Sequence, residues 1–525
     1  MNSSRDNANP QAIPLAELLG AVTTLALAGD GGNGTVVRHL TGDSREVQSN
    51  SLFIAVRGYC TDGHRFIDNA VERGAVAVIC EEFPAVIDST CLYIKVADAR
   101  KALAEAARLF YGNASDRLKI IGVTGTNGKT TTAKLMTAML NANGISAGYI
   151  GTNLCQIGEQ HIPLERTTPE AHELHALFQR MVEAGCCAVV MEVSSHALVL
   201  QRVYGLRFHA AVFTNLTMEH LDFHRSMAAY AAAKQQLFDQ LAPDGFAVFN
   251  TDDSFAQQMA LRVAPEKRYC CTLRSGAVST VLCRHFFEAE ILQSSIASST
   301  VKLHFPETVM TMQVGLPGAF NVMNLLEAAA VGTGMALSAE AICHALSAIS
   351  AVDGRMERVG DGSENVSVFV DYAHTPDALC KALETLRALK PAGSRLMVLF
   401  GCGGNRDQSK RPEMGRIASE LADLVILTSD NPRDEHPEMI LDEIERGIQR
   451  GIERGHHLRI SDRTEAIAQA VAMLKEGDVL LVAGKGHERY QEIAGRKFPF
   501  SDQEQLRKVM QKNGAEDSAK ERRCE

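Results

Sequence analysis

The sequence predicts an α/β protein of three domains: a central P-loop ATPase-like domain with a parallel sheet, a small N-terminal α/β domain and a C-terminal Rossmann-like α/β domain. Three observations predict it. The chain has 525 residues, too many for one core and suited to roughly two to four domains. The run KIIGVTGTNGKTTTAKLM, from Lys119 to Met136, opens apolar, breaks at Gly125 and Gly128, then places Leu135, Met136, Met139 and Leu140 at helical spacing. Beyond Asp353-Gly354-Arg355 come SVFVDYAH, RLMVLFGCGGNRD, LVILTSDNPRDEHP and DVLLVAGKGHE. Each is an apolar run ending in a polar or glycine-rich loop, with helical stretches between, the pattern of a mostly parallel sheet. The domains are expected at residues 1–116, 117–352 and 353–525.

Composition excludes several classes. Apolar content of 46% with 22% charged residues is globular rather than disordered. The 53 basic and 63 acidic residues leave a net charge of −10, which argues against nucleic acid or an anionic membrane as partner. Anionic substrates therefore need local basic sites. The 13 cysteines include the adjacent pairs Cys186-Cys187 and Cys270-Cys271 but no CxxC spacing, as expected of reduced thiols. The N-terminus is polar, and no apolar stretch reaches the roughly 18 residues of a membrane span. A cytoplasmic monomer is expected, with a frayed tail from Ala515 onward.

In the first domain, apolar runs at Leu52–Val56 and Ala75–Ile79 alternate with a helix-like stretch, Phe66–Arg73. Asp43, Ser44 and Arg45, then Gly58, Asp62, Gly63 and His64, read as surface turns. The central domain opens with the glycine-rich run. The free N–H groups and dipole of its helix face whatever the turn holds, Lys129 reaches terminal phosphates, and the Thr130 hydroxyl is offered to Mg²⁺. Val123 stands where the general P-loop pattern has glycine, with Gly122 and Gly125 on either side.

Further on, the Thr168-Pro169-Glu170 run opens a helix through a cap, an N1 proline and an early acid. The strand in CAVVMEVSSHAL carries Glu192, Ser194, Ser195 and His196 at its polar end, and an acid there beside a P-loop can hold Mg²⁺. His220, Asp222 and His224 form either a metal cluster or a polar surface. Lys234, in the helix MAAYAAAKQQLFDQL, reads from its pattern as a solvated lysine. A strand at Phe246–Phe249 precedes an irregular β-rich stretch, 266–313. Asn321 and Asn324, in LPGAFNVMNLLEAAAVG, either contact a base or cap and line their helix. In the third domain the strand-end loops gather Asp371, His374, Arg406, Asp430, Arg433, Lys485, His487 and Glu488 on one rim.

A P-loop with acids in one domain and a charged rim in another describe an enzyme that activates one substrate with ATP and delivers it to a second. A carboxylate attacking the γ-phosphate gives an acyl phosphate, which an amine then displaces. Closure of a domain would keep water from hydrolysing it.

TGTNGKTTT, MEVSSHAL, TNLTMEHLDFH, the Lys234 helix, GAFNVMNLLEA, DGRME, VDYAHTPD, GCGGNRD and DNPRDEHP occur in that order. Together they resemble the Mur ligase family, the ATP-dependent amino-acid-adding enzymes of peptidoglycan assembly. The resemblance is to the branch that extends UDP-N-acetylmuramoyl-L-alanyl-D-glutamate. It implies that ATP is held by Gly125, Thr126, Asn127, Gly128, Lys129, Thr130 and Thr131, with Asn324, Arg355 and Asp371. It implies Mg²⁺ at Thr130, Glu192 and His220, and places Lys234 where the family carries a carbamylated lysine ligating a second Mg²⁺. Lys129, Lys234 and His220 are then the catalytic group.

For the nucleotide-sugar, Ser44, the loop Tyr59 to Thr61, Thr167, Thr168, Ser194 and Arg202 match family contacts. Arg166 and Leu200 depart from the usual Asn and Gln, with Gln201 beside the second. Asp430, Asn431, Pro432 and Arg433 resemble the signature of members that add meso-diaminopimelate. Its distal carboxylate suits a bidentate arginine. Lysine would leave Arg433 unpaired, at a cost of about a few kcal/mol. Arg406 is similar to another contact of that substrate, and Gly484 and Glu488 to those of its distal ammonium. A lysine-adding ligase, a folylpolyglutamate synthase, an ATP-hydrolysing switch and a kinase remain as alternatives.

Overall fold

The computed structural model describes residues 12–30, 32, 34–58, 61–274, 283–360, 366–448 and 457–511. Tyr59, Cys60 and the tail from Ala515 lie outside them. Three large sheets follow one another along the chain. The first has five strands in the order Thr24–Ala28, Leu92–Val96, Ala75–Cys80, Ser51–Ile54, His39–Thr41, parallel except for the antiparallel edge Thr24–Ala28.

The central sheet has eleven strands. Its parallel heart runs Ala147–Gly151, Ala188–Glu192, Lys119–Thr124, Phe208–Phe213, Leu241–Asn250, Arg268–Thr272 and His285–Ser294. Antiparallel strands close both ends, so the irregular stretch 266–313 is an extension of this sheet. Alternation along the strand puts neighbours on opposite faces. Ile121 and Val123 join the core under the helices Lys129–Ala142 and Ala319–Gly334, whereas Ile120 joins the one under Ala171–Glu183.

The third sheet has six strands, in the order Glu357–Val359, Ser367–Asp371, Val479–Ala483, Leu396–Phe400, Leu424–Leu427, His457–Arg459. It is parallel apart from its first edge. All four expected apolar runs are buried strands here, and their carboxyl ends share one rim.

Two local expectations are corrected. The helix after Pro169 begins at Ala171, with Glu170 as N-cap in a reciprocal box with Glu173. The Thr168 hydroxyl is engaged elsewhere, donating to the Glu192 carbonyl at 2.9 Å and accepting from Ser194 N at 3.1 Å. Cys270 and Cys283 are joined as a disulfide, while nine other described cysteines are free. The pair is separated by 13 positions, a spacing that does not reveal the pairing. Among the described residues no helix is long and apolar enough to cross a membrane.

Candidate active site

The strand Lys119–Thr124 runs into Gly125, at φ 152°, and the helix Lys129–Ala142 starts after Gly128, at φ 86°. Both glycines are required. A Cβ on Gly125 would collide with Thr214 Oγ1, and one on Gly128 would lie 2.5 Å from Asn324 Oδ1. The next strand steadies the loop. Thr214 Oγ1 and Asn215 Nδ2 donate to the Asn127 carbonyl at 2.6 and 3.0 Å, and Asn127 N donates to Asn215 Oδ1 at 2.9 Å.

Two amines converge on this turn. Lys129 Nζ donates to the carbonyls of Gly125 and Thr126 at 2.9 and 2.7 Å, and Lys234 Nζ donates to the same Gly125 carbonyl at 2.7 Å. The solvated-lysine reading of Lys234 is therefore overturned: the residue is 1% exposed. Its helix, capped by Ser226, is pressed beneath the P-loop with Tyr230, whose ring centre lies 4.5 Å from Nζ. Burial, and then the charge of Lys129, push the proton affinity of Lys234 well below the ordinary lysine value, against the pull of Glu219. Burial lowers Lys129 too. Two desolvated amines thus share one carbonyl acceptor at the turn.

Glu192, fully buried at its strand end, accepts from Thr130 Oγ1 at 2.8 Å, Tyr149 Oη at 2.7 Å and Thr152 N at 3.1 Å. Thr131 is buried beside Thr130. His220 has φ 56°, and its ring stands 4.8 Å from that of His196. Burial first, then Lys129 and Lys234, hold its pKa down to about 4, leaving a neutral imidazole. Among the described residues no cage of three or more His, Cys, Asp or Glu is assembled. The donor set nonetheless fits Mg²⁺ beside phosphate: a threonine hydroxyl, a carboxylate and a neutral imidazole at a helix N-terminus. Lys234 as an amine does not fit a cation, and does so only if converted to an anion.

Behind Glu192 lie most of the residues expected for the nucleotide-sugar. Ser194 N donates to Thr168 Oγ1 at 3.1 Å, Thr167 Oγ1 is 3.2 Å from Thr152 Oγ1, and Arg202 reaches the Thr168 carbonyl at 3.2 Å and Glu170 at 2.8 Å. Arg166 stands 3.8 Å from both Glu170 and Glu173. The Leu200 carbonyl receives Arg100. Ser44 begins a short turn in the first domain, and among the described residues no hydrogen bond joins it to this group.

The third domain reaches over the P-loop. Arg355 Nη2 donates to Thr130 Oγ1 at 2.9 Å, with its guanidinium 4.6 Å from the Tyr372 ring centre. Asp371, its pKa raised by burial, accepts from Met356 N at 2.6 Å. Asn324 Oδ1 accepts from Thr132 Oγ1 at 3.2 Å, on the helix side of the loop. Asn127 Nδ2 donates to Asp377 Oδ2 at 2.6 Å, and Lys381 holds the same oxygen at 2.9 Å.

On the rim beyond, Asn431 bridges a buried pair. Its Nδ2 donates to Glu488 Oε2 at 2.8 Å, and Lys485 Nζ donates to its Oδ1 at 2.9 Å and to Glu488 at 3.1 Å. Asp430 faces Gly484, where a Cβ would lie 2.5 Å from Oδ2. Pro432 offers its carbonyl to Glu435 N at 3.0 Å. Arg406 is exposed on the neighbouring loop.

Arg433 corrects an expectation. It is not left unpaired without substrate, because Nε donates to Glu492 Oε2 at 3.1 Å and Nη1 to the Gly404 carbonyl at 2.7 Å. Sequence reasoning also passed over Asp377, Asn215 and Tyr149. Asp377 was within reach, as the acid of VDYAHTPD in the first turn of a proline-started helix. For Tyr149 no local pattern marks the contact with Glu192.

A nucleotide-type loop with two buried amines, covered by a second α/β domain, defines an activating ligase, and the chain belongs to the Mur ligase family. It matches the descriptions "Mur ligase family, catalytic domain" over residues 36–111, "Mur ligase middle domain" over 123–332 and "Mur ligase, glutamate ligase domain" over 354–486. It is 62% identical over 512 residues to the UDP-N-acetylmuramoyl-L-alanyl-D-glutamate--2,6-diaminopimelate ligase of Chlorobium phaeobacteroides, covering 97% of this chain and 99% of that one. The protein of the same name in Chlorobaculum tepidum is 58% identical over 496 residues, covering 94% and 96%. A solved structure of a ligase of that name superposes with a TM-score of 0.66 at 31% identity, covering 96% of this chain and 100% of that one.

Proposed function

We propose that this chain joins meso-2,6-diaminopimelate to the D-glutamate of UDP-N-acetylmuramoyl-L-alanyl-D-glutamate, using ATP, in cytoplasmic peptidoglycan precursor synthesis. The observation that carries the reading is the convergence of Lys129 and Lys234 on the Gly125 carbonyl beneath a loop that Arg355 reaches from the third domain. The D-glutamate carboxylate oxygen attacks the γ-phosphorus and ADP departs. The amine of diaminopimelate then attacks the acyl carbon, a proton is lost, and phosphate leaves as the amide forms.

In this reading residues 1–116 take the nucleotide-sugar, 117–352 ATP and 353–525 the amino acid. The P-loop glycines let the backbone approach phosphate, and Lys129 neutralises charge on the transferred group. Mg²⁺ held by Thr130, Glu192 and His220 would supply further neutralisation. Lys234 contributes in carbamylated form. Its amine is buried, and the low proton affinity leaves it free to attack carbon dioxide with loss of a proton. Thr167, Thr168, Ser194 and Arg202 orient the peptide end of the nucleotide-sugar. Arg433, Asn431, Asp430, Gly484 and Glu488, with Arg406, take the distal centre of diaminopimelate.

Phosphate release from ATP and Mg²⁺ with the nucleotide-sugar dipeptide is the test, comparing meso-diaminopimelate, L-lysine and no amino acid, with the product weighed by mass spectrometry. Release that needs diaminopimelate and yields the tripeptide is expected. Release indifferent to any amine would replace this reading with a nucleotide switch.

A further inference from the structure

Tyr490–Ile493 and Arg496–Pro499 form a hairpin whose first strand lies against Asp430–Arg433. Gln491 Nε2 donates to the Asp430 carbonyl at 2.8 Å, and Glu492 N donates to Asn431 Oδ1 at 2.9 Å. Arg433 N donates to the Glu492 carbonyl at 3.1 Å, and Ala494 N donates to the Arg433 carbonyl at 2.7 Å. Backbone bonds on both sides thus hold Arg433 in the left-handed region, at φ 51°, which a long side chain rarely adopts.

The Glu492 side chain completes the clamp. Its Oε2 takes the Nε–H of Arg433 at 3.1 Å, while the Gly404 carbonyl takes one Nη1 hydrogen at 2.7 Å. Glu492 therefore sits on the Nε side of the guanidinium and Gly404 on the Nη1 side. Nη2 has no hydrogen-bond acceptor among the described residues, and its N–H groups remain to meet a carboxylate. Arg433 and Glu492 are both only partly buried, with 20% and 25% of their side chains exposed.

We infer that Glu492 is a positioning residue for amino-acid specificity: it fixes the guanidinium of Arg433 so that Nη2 meets the distal carboxylate of the incoming diamino acid. This rests on the diaminopimelate reading above. Among the described residues, the hydrogen bonds and ion pair of Glu492 go to the rim and none goes to the P-loop. Removing Glu492 should weaken capture of the amino acid and leave the nucleotide steps alone.

The experiment is steady-state kinetics on the full chain, varying meso-diaminopimelate, L-lysine and ATP in turn, for wild type, Glu492→Ala, Glu492→Gln, Arg433→Ala and the double variant Arg433→Ala/Glu492→Ala. Loss of a charge-assisted bond should raise KM for meso-diaminopimelate by about ten- to a hundredfold in Glu492→Ala, with KM for ATP within about twofold of wild type. Glu492→Gln keeps an acceptor oxygen for Nε–H and should recover most of the loss. In the Arg433→Ala background, removing Glu492 should cost little more, since its effect runs through the arginine.

Thermal unfolding checks that each variant is folded. Should Glu492→Ala fail to fold, Glu492→Leu, which keeps the bulk and loses the oxygens, is read in its place. An unchanged KM for meso-diaminopimelate, an equal rise in KM for ATP, no recovery in Glu492→Gln, or full additivity in the double variant would each overturn the assignment. A wild type that uses L-lysine as well as meso-diaminopimelate would overturn the substrate reading itself.

Discussion

Lys234 ends at the Gly125 carbonyl, and no carboxylate lies within ion-pair distance of its amine among the described residues. On the reading proposed above, that amine becomes a carbamate, an anion able to face Mg²⁺. Lys234→Ala should therefore lose about a hundred- to a thousandfold in kcat, the scale of one lost transition-state contact. Full activity of that variant, assayed without added bicarbonate or chloride, would defeat the carbamate reading. Glu327 makes a different prediction. It lies fully buried behind the P-loop helix, takes a hydrogen bond from Thr132 at 3.0 Å, and burial pushes its pKa up to about 8. The folded protein keeps this proton where the unfolded chain, with a carboxyl near its ordinary 4.5, has lost it. Stability contributed by the protonated form is thus complete below about pH 4.5 and lost as pH rises through about 8. Thermal unfolding across that window should show a flatter decline for Glu327→Gln than for wild type.

The P-loop turn shows how an element depends on its neighbour. Gly125→Ala would set a methyl group against Thr214 Oγ1 at a φ of 152°. We expect a loss of about 1–3 kcal/mol in stability, read by denaturant unfolding, and phosphate release near background. Elements were the most legible level of the sequence. The glycine-rich turn and the four apolar runs of the third domain declare themselves through period and punctuation. Helix starts were less legible: Thr168 looks like a cap, but its hydroxyl is claimed by the Glu192 carbonyl from a strand 24 positions away. Lys234 fell in the same gap. Helical spacing says which residues share a face, not that the P-loop will be laid over this one. Glu492 carries no mark either, because its meaning depends on a hairpin folding back onto Asp430–Arg433.

Across the whole molecule, order of domains was readable, but the contacts between them were not. Asn127 of the central domain binds Asp377 of the third, and Asn153 meets His487 at 3.5 Å. Such pairs join residues hundreds of positions apart, and no local pattern encodes them. Asp377→Ala should loosen the third domain over the P-loop without unfolding either sheet. Small-angle scattering should report a larger radius of gyration, and KM for ATP should rise by about tenfold, as for loss of a charge-assisted bond.

The tie between Asn127 and Asp377 has a thermodynamic corollary. A nucleotide that favours one orientation of the domain holding Asp377 is, by reciprocity, held more tightly when the domain takes that orientation. Whatever steadies the third domain, including an amino acid seated on its rim, would then tighten the grip on ATP by the same factor by which ATP tightens the grip on the amino acid. The enzyme would be hard to load with either one alone and easy to load with both.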